Sequence, residues 1–246
     1  MQPTSPDRAD PLLFSVTRVS TFLGTTALTA ASGFFFERAG RLFFVTSRHV
    51  LMDAQSRHFP DRVELIIHTD VVDLTKFIAV SILIYREGKS TWRQGNDSGG
   101  DIDVAVLEID RAILPPNAVI RPFTLDQVRD SPAGVRLGQS ALIVGFPLGF
   151  YDTLHHLPVA RHATVASAFG VRFQGQGFFL TDARMHRGAS GAPVVIHDPD
   201  AKGELPWRLL GIHSARLDMG TRELGVDDTL GLNCAWYAGI LKTLTA

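Results

Sequence analysis

Short apolar runs, broken by glycine, proline and polar turns, recur along this chain, and few keep a helical period. Residues 12–23 are rich in β-branched and aromatic side chains and predict a strand. Residues 33–37 (GFFFE) and 41–46 (RLFFVT) flank Arg38-Ala39-Gly40, the pattern of a hairpin with its phenylalanines in a core. Residues 47–53 (SRHVLMD) predict one or two helical turns. Further strands are expected at 62–68 and 77–85, a polar loop at 91–100, and an alternating strand at 102–109 (IDVAVLEI). Residues 114–132 hold four prolines and little periodicity, which marks a connection between two halves. Beyond it, 141–145, 160–168, 178–181, 193–197 and 209–214 are short and strand-like. Residues 235–244 (AWYAGILKTL) predict a closing helix. Residues 1–10 form a polar lead-in with two prolines, and no repeat of 20–50 residues is present. Two sets of strands divided near residue 120 predict an all-β protein of two small barrels packed side by side. The expected domains are 12–115 and 133–246, joined by 116–132.

Composition narrows the function. The chain has 246 residues, 45% hydrophobic, with 22 Gly, 13 Pro and 16 Phe, enough to bury one large core or two modest ones. Against 24 basic residues stand 25 acidic ones, and no basic block occurs, so neither nucleic acid nor an anionic membrane is an expected partner. Cys234 is the only cysteine, so no intrachain disulfide is possible. That suits a reducing cytosol without excluding a periplasm. No apolar signal-peptide core and no run long enough to span a bilayer are present, and a cytoplasmic location is the expectation, or a periplasmic one if a leader was trimmed.

The stretch richest in chemistry is residues 181–193 (TDARMHRGASGAP), in which Ser190 lies between small residues. Gly188 and Gly191 permit positive-φ backbone, so amides on both sides of a serine can aim at one point. An acyl-transfer nucleophile needs that arrangement, because the oxyanion formed on attack must meet preformed donors. The same pattern also makes an ordinary tight turn. A serine hydroxyl further needs a general base, and the base needs a group that fixes its tautomer. Of nine histidines, His49 follows a buried-looking strand at a strand-to-helix junction, whereas His68, His197, His155, His156 and His162 lie in strands or beside loops. Asp103 heads an apolar strand. Asp101 shares its face on the alternation, so spacing leaves both open.

The order His49, Asp103, Ser190 is that of chymotrypsin-type enzymes rather than of subtilisins or α/β-hydrolases. The chain resembles the trypsin-like peptidases, nearest the bacterial Deg/HtrA branch, over roughly residues 30–220. SGFFFERAGRLFFVTSRHV is similar to that branch's strand, glycine turn and Val-Thr-x-x-His-Val signature ending on His49. DVAVLEI is similar to its Asp-Leu-Ala-Val-Leu strand, which selects Asp103. IVGFPLG resembles its Ile-Gly-x-Pro-x-Gly segment, TDARMHRGASGAP its nucleophile segment, and LLGIHSA its substrate-binding strand.

The resemblance implies two six-stranded antiparallel β-barrels with a catalytic triad in the cleft between them. Ser190 would attack a peptide carbonyl, His49 would shuttle the proton, and Asp103 would hold the imidazole. The amides of Gly188 and Ser190 would form the oxyanion hole, and no cofactor or metal is implied. Two positions depart from the pattern: Ala189, where digestive relatives carry an aspartate that pairs with a new N-terminus, and Ala192 in place of a second glycine. Activation by N-terminal cleavage is therefore not expected. The span after the substrate strand is too short for a PDZ module.

Arg184, His213, Ser214 and Ala215 are the expected substrate-binding residues. His213 in GIH resembles glutamyl endopeptidases, and with Arg184 implies an acidic P1 residue; a buried His213 and a solvent-facing Arg184 are the alternative. Ser214 could instead bond Asp103. The expected function is a serine endopeptidase acting on protein or peptide substrates, and the competing one is a silent protease-like binding module.

Overall fold

The computed structural model describes residues 9–201, 203–216 and 231–246, so most of the expected lead-in lies outside the described residues. A 3-10 turn, Pro11–Phe14, starts on Asp10, whose carboxylate accepts from the Leu12 amide. The first half then runs through β1 (Val16–Leu23), β2 (Thr26–Arg38), β3 (Arg41–Thr46), the single helical turn α1 (Arg48–Leu51), β4 (Arg62–His68) and β5 (Phe77–Leu83). A small hairpin, β6 (Tyr85–Arg86) with β7 (Lys89–Ser90), precedes β8 (Trp92–Asp97) and β9 (Gly100–Ile109). The main sheet has the order β5-β4-β1-β2-β3-β9-β8, and β10 (Phe123–Thr124) pairs parallel to β2. The second half, β11 (Ser140–Gly145), β12 (Val159–Val165), β13 (Phe178–Asp182), β14 (Pro193–His197), β15 (Trp207–Arg216) and β16 (Leu232–Tyr237), closes as a six-stranded barrel.

The protein is thus all-β, a closed barrel beside a second sheet, with a short C-terminal helix. Three expectations need correction in detail. The first sheet does not return from β9 to β5, because β8 occupies the free edge of β9 through pairs such as Trp92 with Leu107. The residues expected as a loop at 91–100 therefore contain that strand. Its residues after Trp92 are exposed or half-buried, while Trp92 is buried and the Arg93 guanidinium donates to the carbonyl oxygens of Leu244 and Ala246. The helix expected over 235–244 is mostly not a helix. Ala235 and Trp236 pair with Phe179 and Phe178 in the barrel, and only Leu241–Leu244 (α2) is α-helical, after a 3-10 turn at Ala238–Ile240. Barrel pairing outweighs helix propensity there.

Alternation explains the phenylalanine runs. In β2, Phe34 and Phe36 pack into an apolar seam shared by the two halves, while Phe35 faces the interior of the first sheet. In β3, Phe43 and Val45 take the seam and Phe44 the interior. In β9, Ile102, Val104 and Val106 take the seam and Ala105, Leu107 and Ile109 the interior. These strands are apolar on both faces because both faces are covered. Each fully buried phenylalanine contributes about 1.5–3 kcal/mol, so the seam fixes the halves against each other. Residues 116–132 are tied to both: β10 pairs with β2, and the Arg129 amide donates to the Leu209 carbonyl.

Candidate active site

His49 sits on α1 directly beyond β3, and the next residues, Val50 and Leu51, plug that turn into the first core. Asp103 lies on the interior-facing side of β9. One carboxylate oxygen accepts from the backbone amide of His49 at 2.9 Å, and the other meets His49 Nδ1 at 2.7 Å. The Ser214 hydroxyl from β15 also donates to that second oxygen. Asp103 thereby holds both the backbone and the ring of His49, and with Nδ1–H donating to it, Nε2 is left as the free base. Asp101, the rival left open by spacing, is more exposed and lies 3.9 Å from Arg48. Burial works against a charge on His49, but the hydrogen bond and charge of Asp103, aided by Asp53, outweigh it and raise the imidazole above its ordinary 6.5.

The turn around Ser190 can be accounted for carbonyl by carbonyl. The Arg187 carbonyl accepts from the Leu148 amide at 2.5 Å, and the Gly188 carbonyl from the Ser32 hydroxyl at 2.8 Å. The Ala189 carbonyl accepts from the Ala192 amide at 2.9 Å, and the Ser190 carbonyl from the Ser32 amide at 3.0 Å. In a trans peptide the N–H points opposite the C=O. Fixing the carbonyls of Arg187 and Ala189 therefore fixes the directions of the amides of Gly188 and Ser190, and among the described residues neither amide has an acceptor. Gly188 (φ 90°) and Gly191 (φ 86°) take the left-handed backbone that this turn requires. The result is a pair of preset donors beside the hydroxyl. That hydroxyl donates to the Ser214 carbonyl at 3.0 Å rather than to His49.

His49, Gly188 and Ser190 line one cleft of about 560 Å3, walled by the start of β2 (residues 27–31), by Asp53 and Arg57, and by Arg187. The substrate-binding expectations divide. His213 is buried on β15, and burial, then the charge of His49, push its imidazole down to about 4. Among the described residues its Nδ1 has no hydrogen-bond partner. Ser214 touches both Asp103 and Ser190, Ala215 continues β15, and Arg184 is exposed. Ala189 is fully buried in the second barrel's core, where an aspartate would lack solvent. Cys234 is no rival nucleophile: burial, then the charge of Asp103, push its thiol up to about 11.

Ser32, Leu148 and Asp53 went unnoticed in the sequence. Ser32 is the one fully buried hydroxyl leading into the phenylalanine run, a faint signal. Leu148 acts through its amide and leaves no signal at all.

Two halves sharing an apolar seam, with an acid–imidazole pair on one and a serine turn on the other, define a serine-type peptidase domain. The family model for the trypsin-like peptidase domain matches residues 31–205, and the chain belongs to that family. Among curated proteins none matches the sequence. Solved structures with the same fold include two of the HtrA-type protease AlgW with a tripeptide, at 16% and 17% identity and TM-score 0.57, covering 97% of this chain. A serine endoprotease from Yersinia pestis is similar at 18% identity and TM-score 0.55, over 100% of this chain. The chain spans 60% of the length of the AlgW chains and 66% of the Yersinia one, less than two thirds of each.

Proposed function

We propose that this domain is an endopeptidase in which Ser190 is the nucleophile, His49 the general base and Asp103 the group that orients and stabilises the imidazole. The reading rests on one observation above others: the Asp103 carboxylate, bonded to His49 Nδ1 at 2.7 Å, leaves Nε2 free in the cleft that also holds Ser190. In the reaction, the Ser190 hydroxyl turns from the Ser214 carbonyl, and its proton passes from Oγ to His49 Nε2 as Oγ attacks the substrate carbonyl. The oxyanion would meet the amides of Gly188 and Ser190, each such donor being worth about 3 kcal/mol. His49 then protonates the leaving amine, and water activated by His49 releases the acyl group from Ser190.

An acidic P1 residue is the specific substrate form of this reading. Among the described residues, a ring nitrogen of His213 has no partner in a desolvated site, and a substrate carboxylate would supply the acceptor it lacks there. A second reading, a binding module without turnover, is favoured by the Ser190 hydroxyl bonding the Ser214 carbonyl instead of His49. A fluorophosphonate probe separates the two. Labelling of the native protein but not of Ser190→Ala supports the peptidase, and labelling of neither supports the binding module. Cleavage of a peptide library without enrichment of Glu or Asp at P1 removes the acidic preference and leaves the hydrolase standing.

A further inference from the structure

Ser32 lies in the first half, on β2, yet every polar group it owns is committed to holding parts of the second half or the strand beside it. Its amide donates to the Ser190 carbonyl at 3.0 Å and its hydroxyl donates to the Gly188 carbonyl at 2.8 Å. The hydroxyl oxygen accepts from the Phe146 amide at 2.9 Å, and the Ser32 carbonyl accepts from the Thr46 hydroxyl at 2.8 Å. The residue is fully buried.

Its neighbours are shaped to let it in. A Cβ on Gly145 would stand 2.5 Å from Ser32 Oγ, and one on Gly191 would stand 2.2 Å from the Ser32 carbonyl oxygen. Through the Phe146 amide the same hydroxyl anchors the segment whose next residue but one, Leu148, holds the Arg187 carbonyl. Of the four carbonyls between Arg187 and Ser190, Ser32 therefore holds two directly and a third through Phe146 and Leu148.

We propose that Ser32 is a positioning residue for the oxyanion turn, a latch by which the half carrying His49 and Asp103 pins the 188–189 and 190–191 peptides that alternate with those of the Gly188 and Ser190 amides, and, through Phe146 and Leu148, the peptide that carries the Gly188 amide. The role rests on the peptidase reading above. Without the hydroxyl, the buried Phe146 amide and the half-buried Gly188 carbonyl both lose their partner. Rotation of the peptides on either side of Gly188 then becomes the way to satisfy them, and a glycine offers little resistance to it.

The test compares native protein, Ser32→Ala and Ser32→Thr on a peptide that the native protein cleaves. Alongside turnover, it measures inhibition by a peptide boronic acid, thermal melting, and the backbone amide NMR signals of Gly188 and Ser190. Ser32→Ala is expected to lower kcat by about 10- to 100-fold, below the 10²–10³ of losing a donor outright, with KM changed less than about threefold. Boronate affinity should fall by the same factor as kcat, since the tetrahedral adduct uses the same amides. Ser32→Thr, which keeps the hydroxyl, should recover most of the loss.

Three results overturn the role: kcat within about threefold of native, Ser32→Thr as slow as Ser32→Ala while folded, or loss that tracks only the unfolded fraction. Should Ser32→Ala not fold, Ser32→Cys keeps the volume with a weak donor and is expected to be intermediate; full activity there overturns the role. A native protein that neither labels nor cleaves defeats the peptidase reading alone. The latch is then judged by the Gly188 and Ser190 amide signals, which must move in Ser32→Ala if it exists.

Discussion

Ser214 touches Ser190 and Asp103 with opposite ends of one residue: its carbonyl accepts the Ser190 hydroxyl at 3.0 Å while its own hydroxyl donates to Asp103. Ser214→Ala removes only the second contact. A hydrogen bond to a charged group is worth about 1.5–3 kcal/mol, so kcat/KM should fall by roughly tenfold and by at most about 100-fold. Asp103→Asn, which reverses the imidazole tautomer, should cost on the order of 10⁴. Steady-state hydrolysis of one peptide by both variants checks the ranking. An alanine variant as damaged as the asparagine one would mean that Ser214 is not an auxiliary to Asp103.

The acid limb of activity should have its midpoint above the ordinary histidine value of 6.5. In the proposed reaction His49 is a base only when neutral, and Asp103 and Asp53 raise its pKa above 6.5 despite burial. Activity therefore falls as pH drops through a midpoint higher than 6.5. Asp53 lines the cleft and is bonded to Ser56 and Gln55 rather than to His49. Asp53→Asn should shift the midpoint of the kcat/KM profile to lower pH while leaving the plateau largely intact. A midpoint that stays in place shows that the Asp53 charge does not reach the imidazole.

How much of this was legible follows from what kind of atom does each job. The roles proposed for His49, Asp103 and Ser190 belong to side chains, and their order and flanking patterns are written in residue types. The strand at 62–68 was equally plain, because β-branched and apolar residues mark β4. The anchoring of the serine turn was not, since Leu148 and Ala192 act through amides that any residue except proline possesses. Asp53 acts from the turn after α1, and only the closure of that turn by its backbone bonds with His58 brings it to the cleft. The strand over β8 was hidden for a different reason: every residue after Trp92 is exposed or half-buried, so polarity mimicked a loop. The C-terminal segment misled in the opposite sense, since Ala235 and Trp236 carry helix-compatible residues whose partners lie across a barrel.

His213 should make the fold sensitive to mild acid. It remains neutral in the folded state down to about pH 4, whereas an unfolded histidine takes up a proton near 6.5. Between those values the unfolded chain binds more protons, so stability rises with pH and is lost as pH falls from 6.5 toward 4. The gap corresponds to roughly 3 kcal/mol at the acid end. His213→Asn removes this dependence, and its stability in urea should decline less than the native protein's between neutral pH and the acid end of that window. Parallel declines would show that His213 is not held neutral by burial.

Gly191 offers the sharpest stability contrast. It has φ 86°, and a Cβ there would stand 2.2 Å from the Ser32 carbonyl oxygen and 2.9 Å from Thr46 Cα, both backbone atoms that cannot swing aside. Gly40, in the turn between β2 and β3, has φ 77° with nothing within 4 Å. Alanine at position 40 meets only the left-handed backbone penalty, about 1–2 kcal/mol. At position 191 the overpacking cost of about 1–3 kcal/mol is added to it, so Gly191→Ala should lose clearly more stability than Gly40→Ala in urea unfolding. It should also lose turnover, because the atoms it displaces belong to Ser32 and through it to the Gly188 carbonyl. Equal destabilisation by the two variants would mean that β2 yields at Ser32, and a turn resting on so soft a wall could not hold its amides in fixed directions.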